Sequence, residues 1–357
     1  MGNFKYIAAV LLMAGAQQTY AAGTASGSDI NNTATINYQV GGVAQPAGAS
    51  NVATFKVDRK INLTVAEVGT TDTTVTPGSA NQAVEFTVTN TSNALLDFAL
   101  TVTQDATGAT TAHGGTDDFD VTNVRFYRET GTAGLQLSGP TADTLVTFLD
   151  EIAADAIITV HVVTDIPLGQ ANGNQSGLTL TATSREAGGA GSQGAAITQT
   201  AGADTPGTVD TVFADIPGDT DAARDGAHSD DDAFLISAAQ ITANKSSRVI
   251  SDPFNNTTNP KAIPGAVVEY CIEVTNAAGG AAATNVAVGD ALAGQPATYS
   301  ANSIKLGATS CAAADGVAKT DAADADEASF ASNTATGNFA SVAAGSTVRM
   351  QFRVTIN

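Results

Sequence analysis

Short runs of Val, Ile, Thr, Phe and Tyr alternate with polar residues along most of the chain, and Gly, Asn, Asp and Pro separate one run from the next. Clear runs are Thr33–Tyr38, Ala53–Val57, Ile61–Val65, Val84–Thr89, Ile158–Val162, Leu178–Ala182 and Val348–Val354. A period of two places alternate side chains on opposite faces of a strand, one buried and one wet, as in antiparallel sandwiches. No comparable 3.6-residue period follows the first twenty or so residues, so the expected fold is all-β. Hydrophobic residues make up 43% of the 357, many of them Ala and Val, which predicts cores built from small side chains.

Residues 1–22 read as a secretory signal peptide, with Lys5 as the positive region, Tyr6 to Ala16 as the apolar region and Thr19-Tyr20-Ala21-Ala22 as the cleavage site. The apolar run falls short of the ~20 residues that span a bilayer. The processed chain is therefore expected to be soluble and exported, without membrane insertion. It would carry 14 Lys+Arg against 35 Asp+Glu. That balance excludes a nucleic-acid binder, which needs a basic face to release counterions from phosphates. Two cysteines and three histidines are too few for a conventional zinc cluster.

In an oxidising compartment Cys271 and Cys311 are expected to bridge, closing a loop of about 40 residues worth roughly 3 to 4 kcal/mol. The alternative of two free thiols lacks a Cys-x-x-Cys spacing or a neighbouring His.

Two stretches of the chain correspond. Pro77-Gly78 leads to Val88-Thr89-Asn90 and later to Ile152-Ala153-Ala154-Asp155; Pro264-Gly265 leads to Val274-Thr275-Asn276 and later to Val342-Ala343-Ala344-Gly345. The offsets between the copies stay near 187 residues. A hairpin, Asn32–Val40 with Asn51–Val57, precedes the first copy, and Thr208–Asp215 with Ala233–Ala239 is expected to do the same for the second. The predicted organisation is residues 23–200 as a hairpin plus sandwich, 201–238 as an acidic connecting segment with a hairpin, and 239–357 as a second sandwich. Together they should make a stiff rod, with Gly188 to Pro206 as a flexible linker.

Pro264-Gly265, Val274-Thr275-Asn276, Ala283-Thr-Asn-Val-Ala-Val-Gly-Asp290 and Ala343-Ala-Gly-Ser-Thr-Val348 resemble the conserved-repeat family called domain of unknown function 11, well over Ile241 to Asn357 and more weakly over Ile61 to Arg185. The resemblance implies immunoglobulin-like sandwiches in exported bacterial envelope proteins, in the periplasm, at the cell surface or outside the cell. It transfers no catalytic residues.

The densest polar feature runs from Asp215 to Asp232. Asp219, Asp221, Asp225, Asp230 and Asp232, on a stretch containing Gly218 and Gly226, are the candidate calcium ligands, because a hard cation takes six to eight oxygens. Their spacing departs from a twelve-residue calcium loop, and the competing and simpler reading is a solvated acidic loop that keeps the acidic chain soluble. A second acidic run, Asp321, Asp324, Asp326 and Glu327, is less patterned. His113, His161 and His228 are scattered, and His161, between Val160 and Val162, is expected on an exposed strand face. No Gly-x-Ser-x-Gly elbow is present, and Gly188–Gly194 does not lead a strand into a helix. The absence of Trp argues against a sugar-cleaving cleft.

The sequence thus indicates a non-enzymatic structural or interaction protein built from immunoglobulin-like repeats. The alternatives are a fibre subunit in which residues 23–40 add a strand to another copy, or a calcium-dependent module for a carbohydrate or other surface ligand.

Overall fold

The computed structural model describes residues 23–357, so the signal-peptide assignment lies outside the described residues. The described residues form strands, turns and loops, and no helix among them is long and apolar enough to cross a membrane.

The described residues begin with a long two-stranded arm. Strands β1 (Asp29–Asn32), β2 (Thr35–Ile36) and β3 (Gln39–Val40) run out, and β4 (Val43–Ala44), β5 (Gly48–Ala49) and β6 (Ala53–Lys56) run back. They pair as nested antiparallel ladders, β3 with β4 at the tip and β1 with β6 at the base. Gly41 and Gly42 form the tip with φ of 58° and 83°. A two-residue turn of this hand needs positive φ at both positions, which glycine adopts without a Cβ penalty.

The first sandwich follows. Its strands are β7 (Arg59–Ile61), β8 (Leu63–Glu67), β9 (Thr73–Val75), β10 (Gln82–Asn90), β11 (Leu96–Gln104), β12 (Thr122–Arg128), β13 (Thr144–Val146), β14 (Phe148–Ile152), β15 (Ile157–Asp165), β16 (Gln175–Glu186), β17 (Thr211–Phe213) and β18 (Ala227–Ile236). One sheet has the order β13-β12-β15-β10-β8, and the other β14-β11-β16-β18-β9. In β10 the alternation works as the sequence predicts: Val84, Phe86, Val88 and Asn90 face inward.

Strands β19 (Ile241–Ser251), β20 (Val267–Asn276), β21 (Ala283–Ala291), β22 (Ala297–Tyr299), β23 (Lys305–Leu306), β24 (Val317–Ala318), β25 (Ala328–Ala331), β26 (Thr334–Val342) and β27 (Thr347–Ile356) build the second sandwich. Its larger sheet runs β19-β20-β27-β23-β24, with β22 also on β27, and its smaller one β21-β26-β25. The disulfide forms as expected, between Cys271 on β20 and Cys311 in the loop after β23, with Cα atoms 5.6 Å apart.

Three expectations need correction. Thr208–Asp215 and Ala233–Ala239 do not pair with each other: β17 lies parallel to β7, and β18 lies between β16 and β9. Much of residues 201–238 therefore completes the first sandwich, with Phe234 and Ile236 buried in its core. Gly188–Gly194 is a turn folded back on Asp97, whose carboxylate accepts the N–H groups of Gly188 and Gly194, and not a spacer between the sandwiches. The cores combine the many Val and Ala side chains expected with larger ones than expected. Phe86, Phe98, Phe234, Phe352, Leu96, Leu149, Leu178 and Leu180 fill them, because two inner faces about 10 Å apart need long side chains to interdigitate.

Candidate functional site

The acidic stretch is largely a strand. His228, Asp230 and Asp232 occupy alternate positions of β18 and so share one face, turned toward the edge of β8. The Val65 N–H donates to His228 Nδ1 at 3.1 Å and the Glu67 N–H to Asp230 Oδ2 at 2.6 Å. Side chains of one sheet thus satisfy backbone donors at the edge of the other, closing one side of the sandwich.

The five candidate calcium ligands do not converge. Asp221 accepts the Gly218 N–H and the Ser229 hydroxyl, and Asp225 accepts the N–H groups of Ala222 and Ala227. Asp219 lies with Asp230 and Asp231. Asp232 belongs to a separate group with Glu67 and His113. Asp230 and Asp232 share a face but stand two residues apart along β18, so Asp230 meets Asp219 and Asp231 while Asp232 meets Glu67 and His113. Asp221 and Asp225 use their carboxylates to hold the backbone around their own turn.

Around Asp232, His113 Nε2 is 3.0 Å from Glu67 Oε1 and 3.7 Å from Asp232 Oδ1. Burial pushes the Asp232 carboxyl up to about 7, and the negative charges of Glu67 and Asp72 add to the effect. Asp72 is raised as well, again chiefly by burial. Its Oδ2 accepts the Gln175 amide at 2.8 Å, while Oδ1 is buried without a hydrogen-bond partner. Glu67 and Asp72 were not singled out from the sequence, because 46 residues separate Glu67 from His113 and a further 119 lead to Asp232.

His161 is not on an exposed face. It is 1% exposed, with Glu85, Glu129 and Asp143 carboxylate oxygens 3.5 to 3.9 Å from its ring nitrogens. The alternation assigned the right face of β15, but the loop after β12 covers that face. Asp143 accepts the N–H groups of Thr130 and Gln136 and so holds the cover in place.

The arm is the main exposed apolar feature. Ile36, Tyr38, Val40, Val43, Val52 and Phe55 are 52 to 65% exposed. Asn93 fixes its base: Oδ1 accepts the Lys60 N–H, and Nδ2 donates to the carbonyls of Thr24 and Asp58. In the second sandwich, edge strands β19 and β21 flank a cleft of about 410 Å³ lined by Ala243, Ile272, Val274, Val286 and Val288. Lys245 on β19 pairs with Asp290 on β21 across it.

No family model and no curated protein matches the chain. Among solved structures, it is similar to the C-terminal domain of the Streptococcus agalactiae AgI/II polypeptide BspA, at 10% identity and TM-score 0.37, over 82% of this chain and 91% of that one. It is also similar to the CupB6 tip adhesin of Pseudomonas aeruginosa, at 10% identity and TM-score 0.26, over 82% and 88%. The T6 backbone pilin of serotype M6 Streptococcus pyogenes matches at 11% identity and TM-score 0.22, over 83% and 54%. Likenesses of this size carry no functional argument.

Proposed function

We propose that the chain is a non-enzymatic structural protein of the bacterial envelope or extracellular space, and that it associates with further copies of itself through the N-terminal arm. The observation that carries this reading is the arm, a two-stranded ribbon with large apolar side chains open to solvent. An isolated two-stranded hairpin is marginally stable in water, and contiguous exposed apolar surface marks an interaction site. The open edges of β19 and β21, with apolar residues between them, are what a strand from another copy would pair with. The Cys271–Cys311 bridge fits an oxidising compartment, in agreement with the signal-like leader in the sequence.

The test is the mass of the processed chain in solution across a wide concentration range, beside the triple variant Tyr38→Ser, Val40→Thr, Phe55→Thr. These side chains are exposed, so the variant keeps its fold. Wild type should form species of increasing mass and the variant should remain a monomer. A wild type that stays monomeric at every concentration overturns the reading.

A further inference from the structure

Glu67, His113 and Asp232 come from three separated parts of the chain: β8, the loop between β11 and β12, and β18. One ligand atom from each lies within 4.8 Å of the other two. The side chains are withdrawn from solvent, at 14%, 19% and 4% exposure. With zinc bonds of about 2.0 to 2.1 Å, neighbouring ligands of a tetrahedral centre stand roughly 3.3 Å apart. The 3.0 and 3.7 Å separations from His113 Nε2 bracket that spacing.

Two further observations point to a cation. Asp72 interacts electrostatically with both His113 and Asp232, and its buried Oδ1 has no hydrogen-bond partner. Among the described residues no lysine or arginine forms an ion pair with Glu67, Asp72 or Asp232, so no permanently charged cation of the chain itself serves this group. Gln175 braces the group from behind. Its Nε2 donates to Asp72, and its Oε1 accepts the hydroxyl of Thr111, two residues before His113. Gly115 permits this approach, since a Cβ there would stand 2.0 Å from Gln175 Oε1. Gln175 thus ties Asp72 to the loop that carries His113.

We propose that Glu67, His113 and Asp232 form a three-residue binding site for zinc(II), the fourth coordination position being left to solvent. The imidazole nitrogen separates this site from calcium and magnesium sites, which are built from oxygen donors. The ion would join β8 of one sheet, β18 of the other and the loop after β11, and so act as a structural tie at the seam of the first sandwich. This site is independent of the arm, so association and metal binding can fail separately.

The experiment uses the untagged processed chain, stripped with a chelator and titrated with zinc chloride by calorimetry, with thermal melts alongside. Wild type should bind one equivalent and gain several degrees of melting temperature, while calcium and magnesium chloride leave it unchanged. His113→Ala should not bind at this site. Should His113→Ala fail to fold, cobalt(II) added to wild type should give the visible spectrum of a four-coordinate site and be displaced by zinc. Absence of stoichiometric zinc binding by wild type, or unchanged binding by a folded His113→Ala, overturns the proposal and leaves His113 as an ion-pair partner of Glu67.

Discussion

Asn90 and Asn276, 186 residues apart, make matching hydrogen bonds in the two sandwiches. Each is fully buried at the end of a core strand. Asn90 Nδ2 donates to the carbonyls of Ala94 and Ile152, and Asn276 Nδ2 to those of Ala281 and Val342. The backbone N–H groups of Asp155 and Gly345 donate to the main-chain carbonyls of Asn90 and Asn276 respectively. The side-chain oxygens each accept a backbone N–H, from Ser92 and from Gln240.

Replacing either asparagine by alanine strips two carbonyls and one N–H of their partners. At about 1 kcal/mol for each orphaned buried group, Asn276→Ala should lose roughly 3 kcal/mol of stability. Urea unfolding checks this, and limited proteolysis should show cleavage concentrated in residues 239–357. A loss below the precision of the unfolding curve would mean that water replaces the amide.

Reduction of Cys271–Cys311 should cost about 3 to 4 kcal/mol by releasing a 40-residue loop. Scanning calorimetry with and without a phosphine reductant reads the effect. The expected result is a lowered transition for the second sandwich and an unchanged one for the first.

Asp252 is a pH probe of the loop after β19. Its carboxylate accepts the N–H groups of Asn255, Phe254 and Lys261 and the Asn255 amide, and these bonds hold its pKa down to about 2 from the ordinary 3.8. Because the folded value lies below the unfolded one, the stabilisation is fully present above about pH 4 and is lost as pH falls through about 2. The difference in melting temperature between wild type and Asp252→Asn should therefore be largest at pH 5 and shrink steadily toward pH 2. A difference that is constant across that range would sink the assignment.

Glu269 is nearly buried between two guanidinium groups, with Oε1 bonded to Arg248 and Oε2 to Arg353. Both arginines are more than a third exposed, which moderates the cost of breaking the cluster. Glu269→Ala should lose about 2 kcal/mol, and Glu269→Gln less, since it keeps one acceptor. Chemical denaturation of both variants at low and high salt checks the order.

Much of the strand pattern was legible in the residues. Val84, Phe86 and Val88 announced an inward face, and Val-Thr-Asn at two places marked the paired asparagines. The acidic β18 was harder to read because Asp disfavours strands and favours turns. Its acids are accommodated because the Glu67 N–H, the backbone of β18 itself and the seam between the sheets supply their partners. His161 shows the complementary limit. Its neighbours Val160 and Val162 are fully buried and correctly place it on the other face, but nothing local says that residues 129–143 return to cover that face.

The sequence alone determined what is local: which residues extend, which side chains share a face, where glycine permits a turn, and that two cysteines could meet. These follow from backbone sterics and the two-residue period. Tertiary structure decided which strands pair, that β17 and β18 return to the first sandwich, and that Glu67, His113 and Asp232 meet. Strand pairing joins residues far apart in the chain, and many pairings satisfy the same alternation. Only the joint packing of both sheets, with every buried polar group given a partner, selects one of them.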